Sequence, residues 1–259
     1  MISASEHSLT GPFLTQDGTP VPTCPWHTWH GIKADLVQYG LSSLQMAEAC
    51  GFSSAMVVRF ALGLSSLGGV VTVLASDSFY GWVSLACARH LLNGGSSVRI
   101  VMIPSGEQGT SPVSALLPIA ARLGADIHYW NDPRDVNHVL QIVESSHNVL
   151  CGLSDAGDSS RAWSRSVIEC MNETAVPAHA IGTPVGISPD KRIMEDEALY
   201  ASSTLSLGLP LEALNHNSDL VGRHYLCDMS WGRQQYLQVG FNGAPLFAEQ
   251  PVIRIVPSL

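Results

Sequence analysis

The chain has 259 residues, 22 acidic against 13 basic, for a net charge of −9. That length holds one large domain or two, and so acidic a balance excludes a main role in gripping nucleic acid, which needs clustered Lys and Arg. Charged residues are only 14%, against ~25% in ordinary soluble domains, so part of the surface is expected to lie against another subunit, as in a homodimer.

The six cysteines at 24, 50, 87, 151, 170 and 227 form no CxxC pair and sit mostly in apolar runs, which predicts reduced, buried thiols and a cytoplasmic setting. No basic-then-apolar leader opens the chain. The most apolar window, residues 55–75, is interrupted by Arg59, Ser65, Ser66, Gly68 and Gly69, so no membrane span is expected.

Residues 1–29 read as an N-terminal arm rich in Ser, Thr, Pro and Gly. Cys24, His27 and His30 stand at three-residue intervals there. With no fourth ligand and two tryptophans among them, they predict an aromatic segment packed on the body, with no metal. Residues 30–259 read as one domain. Helical spacing runs from Ile32 to about Leu62, broken at Tyr39-Gly40, with Leu41-Ser42-Ser43 placed to cap a second helix. Val70 to Ala75 is a short, β-branched, apolar run, which predicts a fully buried strand. Ser76, Asp77 and Ser78 punctuate it, and Val83, Leu85, Ala86, Ala88, Leu91 and Leu92 then recur at helical spacing until Gly94-Gly95. With the next strand, Val98 to Ile103, this makes a βαβ unit whose right-handed crossover sets the strands parallel. Ligands of such sheets sit at the turn after the strand, so Ser76, Asp77, Ser78, Phe79, Tyr80 and Gly81 are candidate ligand-binding residues.

Further on, Val113–Leu123 predicts a helix kinked by Pro118, and Ile127–Trp130 a strand. Pro133–Glu144 predicts a helix capped by Asp132. Strands are expected at Val149–Leu153, Pro177–Thr183, Leu205–Leu207, His224–Leu226 and Tyr236–Phe241, with a helix at Arg161–Met171 and a helical turn at Leu211–Leu214. Ser188–Glu197 reads as a surface loop, and Pro251–Pro257 as an edge strand. The alternation predicts an α/β protein: a Rossmann-like three-layer α/β/α fold with a mostly parallel sheet, preceded by two N-terminal helices.

Residues 38–51 (QYGLSSLQMAEACG), Val71–Leu74 followed at a fixed distance by Ala88-Arg89-His90-Leu91, and Ala180-Ile181-Gly182-Thr183-Pro184-Val185-Gly186 carry a resemblance. Together with Leu205–Pro210 and Gly222–Leu226 they resemble the YjeF N-terminal domain, the fold of the NAD(P)HX epimerases, over roughly residues 30 to 230. The resemblance implies an isomerase ancestry, an NAD(P)H-type nucleotide as ligand, and dimers built through the N-terminal helices. It adds Thr183 and Gly186 to the candidate ligand-binding residues.

The resemblance breaks at the chemistry. Where the family has a glycine-rich phosphate loop, this chain has Ser76 to Ser84, with only Gly81 coinciding. Phe79, Tyr80 and Trp82 add bulk there, and Asp77 a negative charge, both adverse to phosphate approach. Cys151 falls where the family has its catalytic aspartate, Ser105 where it has a lysine, and Gly182 and Val185 where its "DIPSG" turn has aspartate and serine. Asp155, four residues beyond Cys151, is the remaining catalytic candidate, with Asp77 or His179 assisting. Three readings follow: an inactive relative binding a nucleotide or other flat small molecule between aromatics, a protein-binding scaffold with a plugged cleft, or an epimerase with a rearranged site.

Overall fold

The computed structural model describes residues 11–64, 68–104, 112–153, 161–188, 198–215 and 217–258. Asp155, Ser105 and all but the first residue of the predicted Ser188–Glu197 loop lie outside them.

The βαβ unit forms as its sequence dictates. Val70–Ser76 is a strand buried almost throughout, the helix Phe79–Asn93 follows, and Ser97–Ile103 pairs parallel to the first strand from Val70↔Ser97 to Ser76↔Ile103. Ser78 caps the helix: its Oγ accepts from the Gly81 N–H at 3.1 Å, satisfying a donor that the first turn would otherwise leave open.

Numbered along the chain, the strands are β1 (Phe13–Thr15), β2 (Pro20–Val21), β3 (Val70–Ser76), β4 (Ser97–Ile103), β5 (Asp126–Tyr129), β6 (Asn148–Gly152), β7 (Ala178–Ile181), β8 (Ser203–Leu207), β9 (Arg223–Cys227) and β10 (Val252–Pro257). Among the described residues they make one ten-stranded sheet in the order β2-β1-β10-β9-β8-β7-β6-β3-β4-β5. From β9 to β5 every pairing is parallel; β10, β1 and β2 add antiparallel strands.

The helices are α1 (Trp26–Gln38), α2 (Ser43–Met56), α3 (Phe79–Asn93), α4 (Val113–Arg122), α5 (Val136–Glu144), α6 (Arg161–Glu173), α7 (Ser218–Val221) and α8 (Arg233–Gln238). Side chains of α2, α3 and α4 cover one face of β3 and β4, and those of α5 and α6 the other. This is the three-layer arrangement. No helix among the described residues is long and apolar enough to cross a membrane.

α1 carries the buried Trp29 and Ile32, and the residues before it supply β1 and β2, with Phe13 and Val21 in the core. Three expectations are corrected. Tyr236–Phe241 is no strand. It begins as the last half of α8, where Tyr236 packs edge-on against Trp231 and Phe241. Pro251–Pro257 is a strand but no edge, since β1 pairs along its outer side. Asp132 does not cap α5; its carboxylate accepts from the backbone N–H and guanidinium of Arg134, and the helix starts only at Val136.

Candidate functional site

The parallel strands change direction of addition at β3: β4 and β5 lie to one side, β6 and β7 to the other. In open α/β sheets the crevice at such a point, outside the carboxyl ends of the strands, is where ligands bind. Ser76 ends β3 there and Gly152 ends β6.

The loop leading from β3 into α3 satisfies itself. Ser76 Oγ donates to Ser78 Oγ at 3.0 Å, and Ser78 Oγ in turn holds the Gly81 N–H. A helix N-terminus attracts anions through its open N–H groups, and one of them is already occupied. The Asp77 carboxylate accepts from Trp82 Nε1 at 2.8 Å, which places a negative charge at the same turn.

Beyond the loop, the crevice is filled by the first two turns of α3. A Cβ at Gly152 would stand 1.9 Å from Ser84 Oγ and 2.6 Å from the Tyr80 carbonyl oxygen, so the helix rests on the end of β6 itself. The Tyr80 ring reaches one strand further. It is only 4% exposed, and a Cβ at Gly182, the residue after β7, would lie 2.3 Å from its Cζ. Gly182 also has φ +81°, a conformation that glycine adopts without the steric cost other residues meet. Tyr80 thus occupies the space over β6 and β7.

Further aromatic rings back it up. Trp29 of α1 lies 6.3 Å from Tyr80 and 6.3 Å from Trp231, centroid to centroid, and 5.9 Å from Phe79. Its indole N–H donates to the Leu207 carbonyl at the end of β8, at 2.8 Å. Lys33 sits over the Phe79 ring at 4.3 Å. The carboxyl end of the sheet from β3 to β8 is therefore lined by the chain's own rings.

At the position of the family aspartate, Cys151 is buried on β6 and burial pushes its thiol up to about 12. A thiol so protonated is a poor acid–base group near neutrality. His179 is wholly buried on β7, its Nδ1 2.8 Å from Ser203 Oγ, and burial pushes its pKa down to about 4. Val185 is buried at the position of the family serine. Nothing at Gly182 or Val185 supplies an oxygen-bearing side chain, and the Tyr80 ring takes the space, so the residues present do not fit an NAD(P)H-type nucleotide bound in the family manner.

Of the predicted ligand-binding residues, Ser76, Asp77, Ser78, Phe79, Tyr80 and Gly81 do come together at the crevice, and Tyr80 brings them against Gly182. Thr183, 2% exposed, and Gly186, with φ +94°, belong to the tight turn after β7. Asp155 lies outside the described residues. Cys24 turns into the core while His27 and His30 are exposed on α1, and among the described residues no three His, Cys, Asp or Glu side chains gather to hold a metal. Sequence reasoning missed Gly152, Trp29 and Trp231. A glycine closing each of two successive central strands, Gly152 and Gly182, was the available sign that something approaches closely there.

A family model described as "YjeF-related protein N-terminus" matches residues 43–213. The chain is 23% identical over 252 residues to human Enhancer of mRNA-decapping protein 3, across 91% of this chain and 45% of that protein. It is 29% identical over 195 residues to the Bifunctional NAD(P)H-hydrate repair enzyme Nnr of Hyperthermus butylicus, across 74% of this chain and 35% of that one. The chain thus spans less than half the length of either relative. The crystal structure of yeast ynu0 superposes with a TM-score of 0.74 at 18% identity, over 90% of this chain and the whole of that one.

Proposed function

We propose that this chain, which belongs to the YjeF-related N-terminal family, is a protein-interaction module without epimerase activity, its ancestral nucleotide cleft closed by its own side chains. The observation that carries this reading is the Tyr80 ring seated on Gly182 over the ends of β6 and β7. The capped turn at Ser78, the charge of Asp77 and the protonated thiol of Cys151 support it.

The similarity to Enhancer of mRNA-decapping protein 3 over nearly the whole chain supports placing the module in a protein that assists mRNA decapping. A second copy of the chain is the first partner proposed. Phe52, Met56 and Phe60, four residues apart on α2 and the π-helical turn Val57–Ala61, are 46%, 36% and 68% exposed. Glu48, Arg89 and His90 rim them with polar groups, His90 edge-on to Phe52. An apolar stripe with such a rim suits association.

Thermal denaturation with NAD+, NADH, NADP+, NADPH and hydrated NADPH tests the reading, together with an epimerisation assay. A ligand at 100 times its Kd stabilises by about 2.7 kcal/mol, roughly 5–11 °C for a domain of this size. No shift and no turnover are expected; either a shift of that size or measurable epimerisation overturns the proposal. Sedimentation velocity of Phe60→Asp tests the pairing, with a monomer expected where the parent chain is a dimer.

A further inference from the structure

The far border of the sheet is open. β5 pairs with β4 on one side, and among the described residues no strand lies on its other side. The Trp130 N–H donates to the Met102 carbonyl of β4 at 2.9 Å. Along a parallel ladder the residues that bond a given neighbour alternate. Asp126 and His128 therefore bond β4, while Ile127 and Tyr129 turn their N–H and C=O groups outward. Such an edge is a template for a further strand. The opposite border of the sheet, β2, is guarded by its brevity and by Pro20, which has no N–H to offer. β5 contains neither proline nor lysine.

The two faces of β5 differ. In the β4–β5 register Ile127 and Tyr129 stand beside Ile100 and Met102, on the side that α4 covers. Tyr129 is 62% exposed there, and Ile119 and Leu123, one turn apart on α4, are 47% and 44% exposed. Asp126 and His128 stand on the other side, towards α5, where His128 lies edge-on to His138. His128 Nε2 is 3.0 Å from Asp126 Oδ2, and the Asp126 side chain is still 65% exposed.

We propose that this border pairs with the same border of a second copy of the chain, the two β5 strands running antiparallel about a two-fold axis through Ile127. Such an axis, normal to the sheet, keeps each face continuous across the junction, so it passes through a residue and not between two. Through Asp126 or His128 it would set like groups opposite each other, which is unfavourable. Through Ile127 it sets Asp126 opposite His128 of the second copy, and the reverse, while the outward N–H and C=O of each Ile127 bond the other. Each Tyr129 N–H then meets the Ala125 carbonyl of the second copy, whose own N–H is committed to Ala120 at 3.0 Å.

The charge selects this partner over an unrelated strand. Any strand docking here must face the Asp126 carboxylate, and β5 itself carries a donor at the matching position. An isologous interface requires such self-complementarity. The contact is short and so weaker than the α2 stripe described above, from which it is separate. A chain using both would join dimers to one another. The pairing depends neither on the closed cleft nor on association through α2.

The test is sedimentation velocity from micromolar to millimolar concentration, with every chain carrying Phe60→Asp so that the α2 stripe does not contribute. A monomer at the low end and a reversible dimer at the high end are expected. Tyr129→Pro should abolish that dimer, since an outward N–H serves nothing within the fold and proline is tolerated on an edge; a parallel melt verifies that each variant is folded. Asp126→Lys and His128→Asp should each weaken the dimer at least about tenfold. An equimolar mixture of those two variants should restore it, because each then brings the charge that the other lacks. A monomer at every concentration, a dimer unweakened by Tyr129→Pro, or a mixture no tighter than its components overturns the pairing.

Discussion

Alanine at Gly182 tests whether the Tyr80 ring closes the cleft. The new Cβ would fall 2.3, 2.5 and 2.6 Å from Cζ, Cε1 and Cε2 of that ring, and the backbone at φ +81° disfavours any side chain. The left-handed conformation costs about 1–2 kcal/mol, and overpacking a filled site about 1–3 kcal/mol more. Gly182→Ala should therefore lower stability by about 2–5 kcal/mol in urea denaturation. Tyr80→Leu removes the three atoms that the Cβ would strike and keeps an apolar side chain in the space. Its own cost stays below the 3–5 kcal/mol typical of truncating an aromatic to alanine. In the Tyr80→Leu background, Gly182→Ala should cost only the conformational part, about 1–2 kcal/mol. The coupling between the two sites is thus about 1–3 kcal/mol, a size expected of residues in contact. Equal penalties in both backgrounds would refute the reasoning, for they would mean that the ring does not lie on Gly182.

Other consequences of the structure are open to similar measurement. His179 and His224 have pKa values pushed down by burial to about 4 and about 3, so the unfolded chain takes up protons first as pH falls below 6.5 and stability is lost down towards those values; at pH 5 each histidine removes about 2 kcal/mol, and His224→Gln should flatten the acid limb of the stability profile. Ser42→Ala breaks the reciprocal cap in which Ser42 Oγ accepts from Gln45 N–H and Gln45 Oε1 from Ser42 N–H, at a cost of about 1 kcal/mol in the thermal midpoint. Trp29→Phe removes the 2.8 Å bond from the indole N–H to the Leu207 carbonyl, which still accepts from the Leu209 N–H, and should cost about 0.5–1.5 kcal/mol; an unchanged denaturation midpoint would contradict that bond.

The βαβ core was legible because independent signals agreed there: a β-branched run, a capping serine and a helical repeat between Val70 and Gly95 all named the same elements. At Tyr236–Phe241 they did not. Tyr236, Val239 and Phe241 are apolar at mixed spacings, and only the packing of Tyr236 between Trp231 and Phe241 decides for a helix and turn. β10 looks like an edge in sequence because its outer partner, Phe13-Leu14-Thr15, is too short to declare itself as a strand. In the cleft, Tyr80 announced its bulk in sequence. Trp29 did not, since its bond to Leu207 joins residues 178 apart and no local pattern carries such a contact.

The position of β10 has a consequence for how the chain is made. Among the described residues, β1 (Phe13–Thr15) pairs only with β2 and with a strand at 252–257. During synthesis from the N-terminus, the Phe13 hairpin must wait for residues 252–257 to emerge before its main partner exists. The parallel strands and their helices can be in place by then, and late docking of so distant a contact is slow. Until it occurs, β9 stands as an unpaired border on the nascent sheet, a surface that invites capture by a chaperone or pairing with a neighbouring nascent chain.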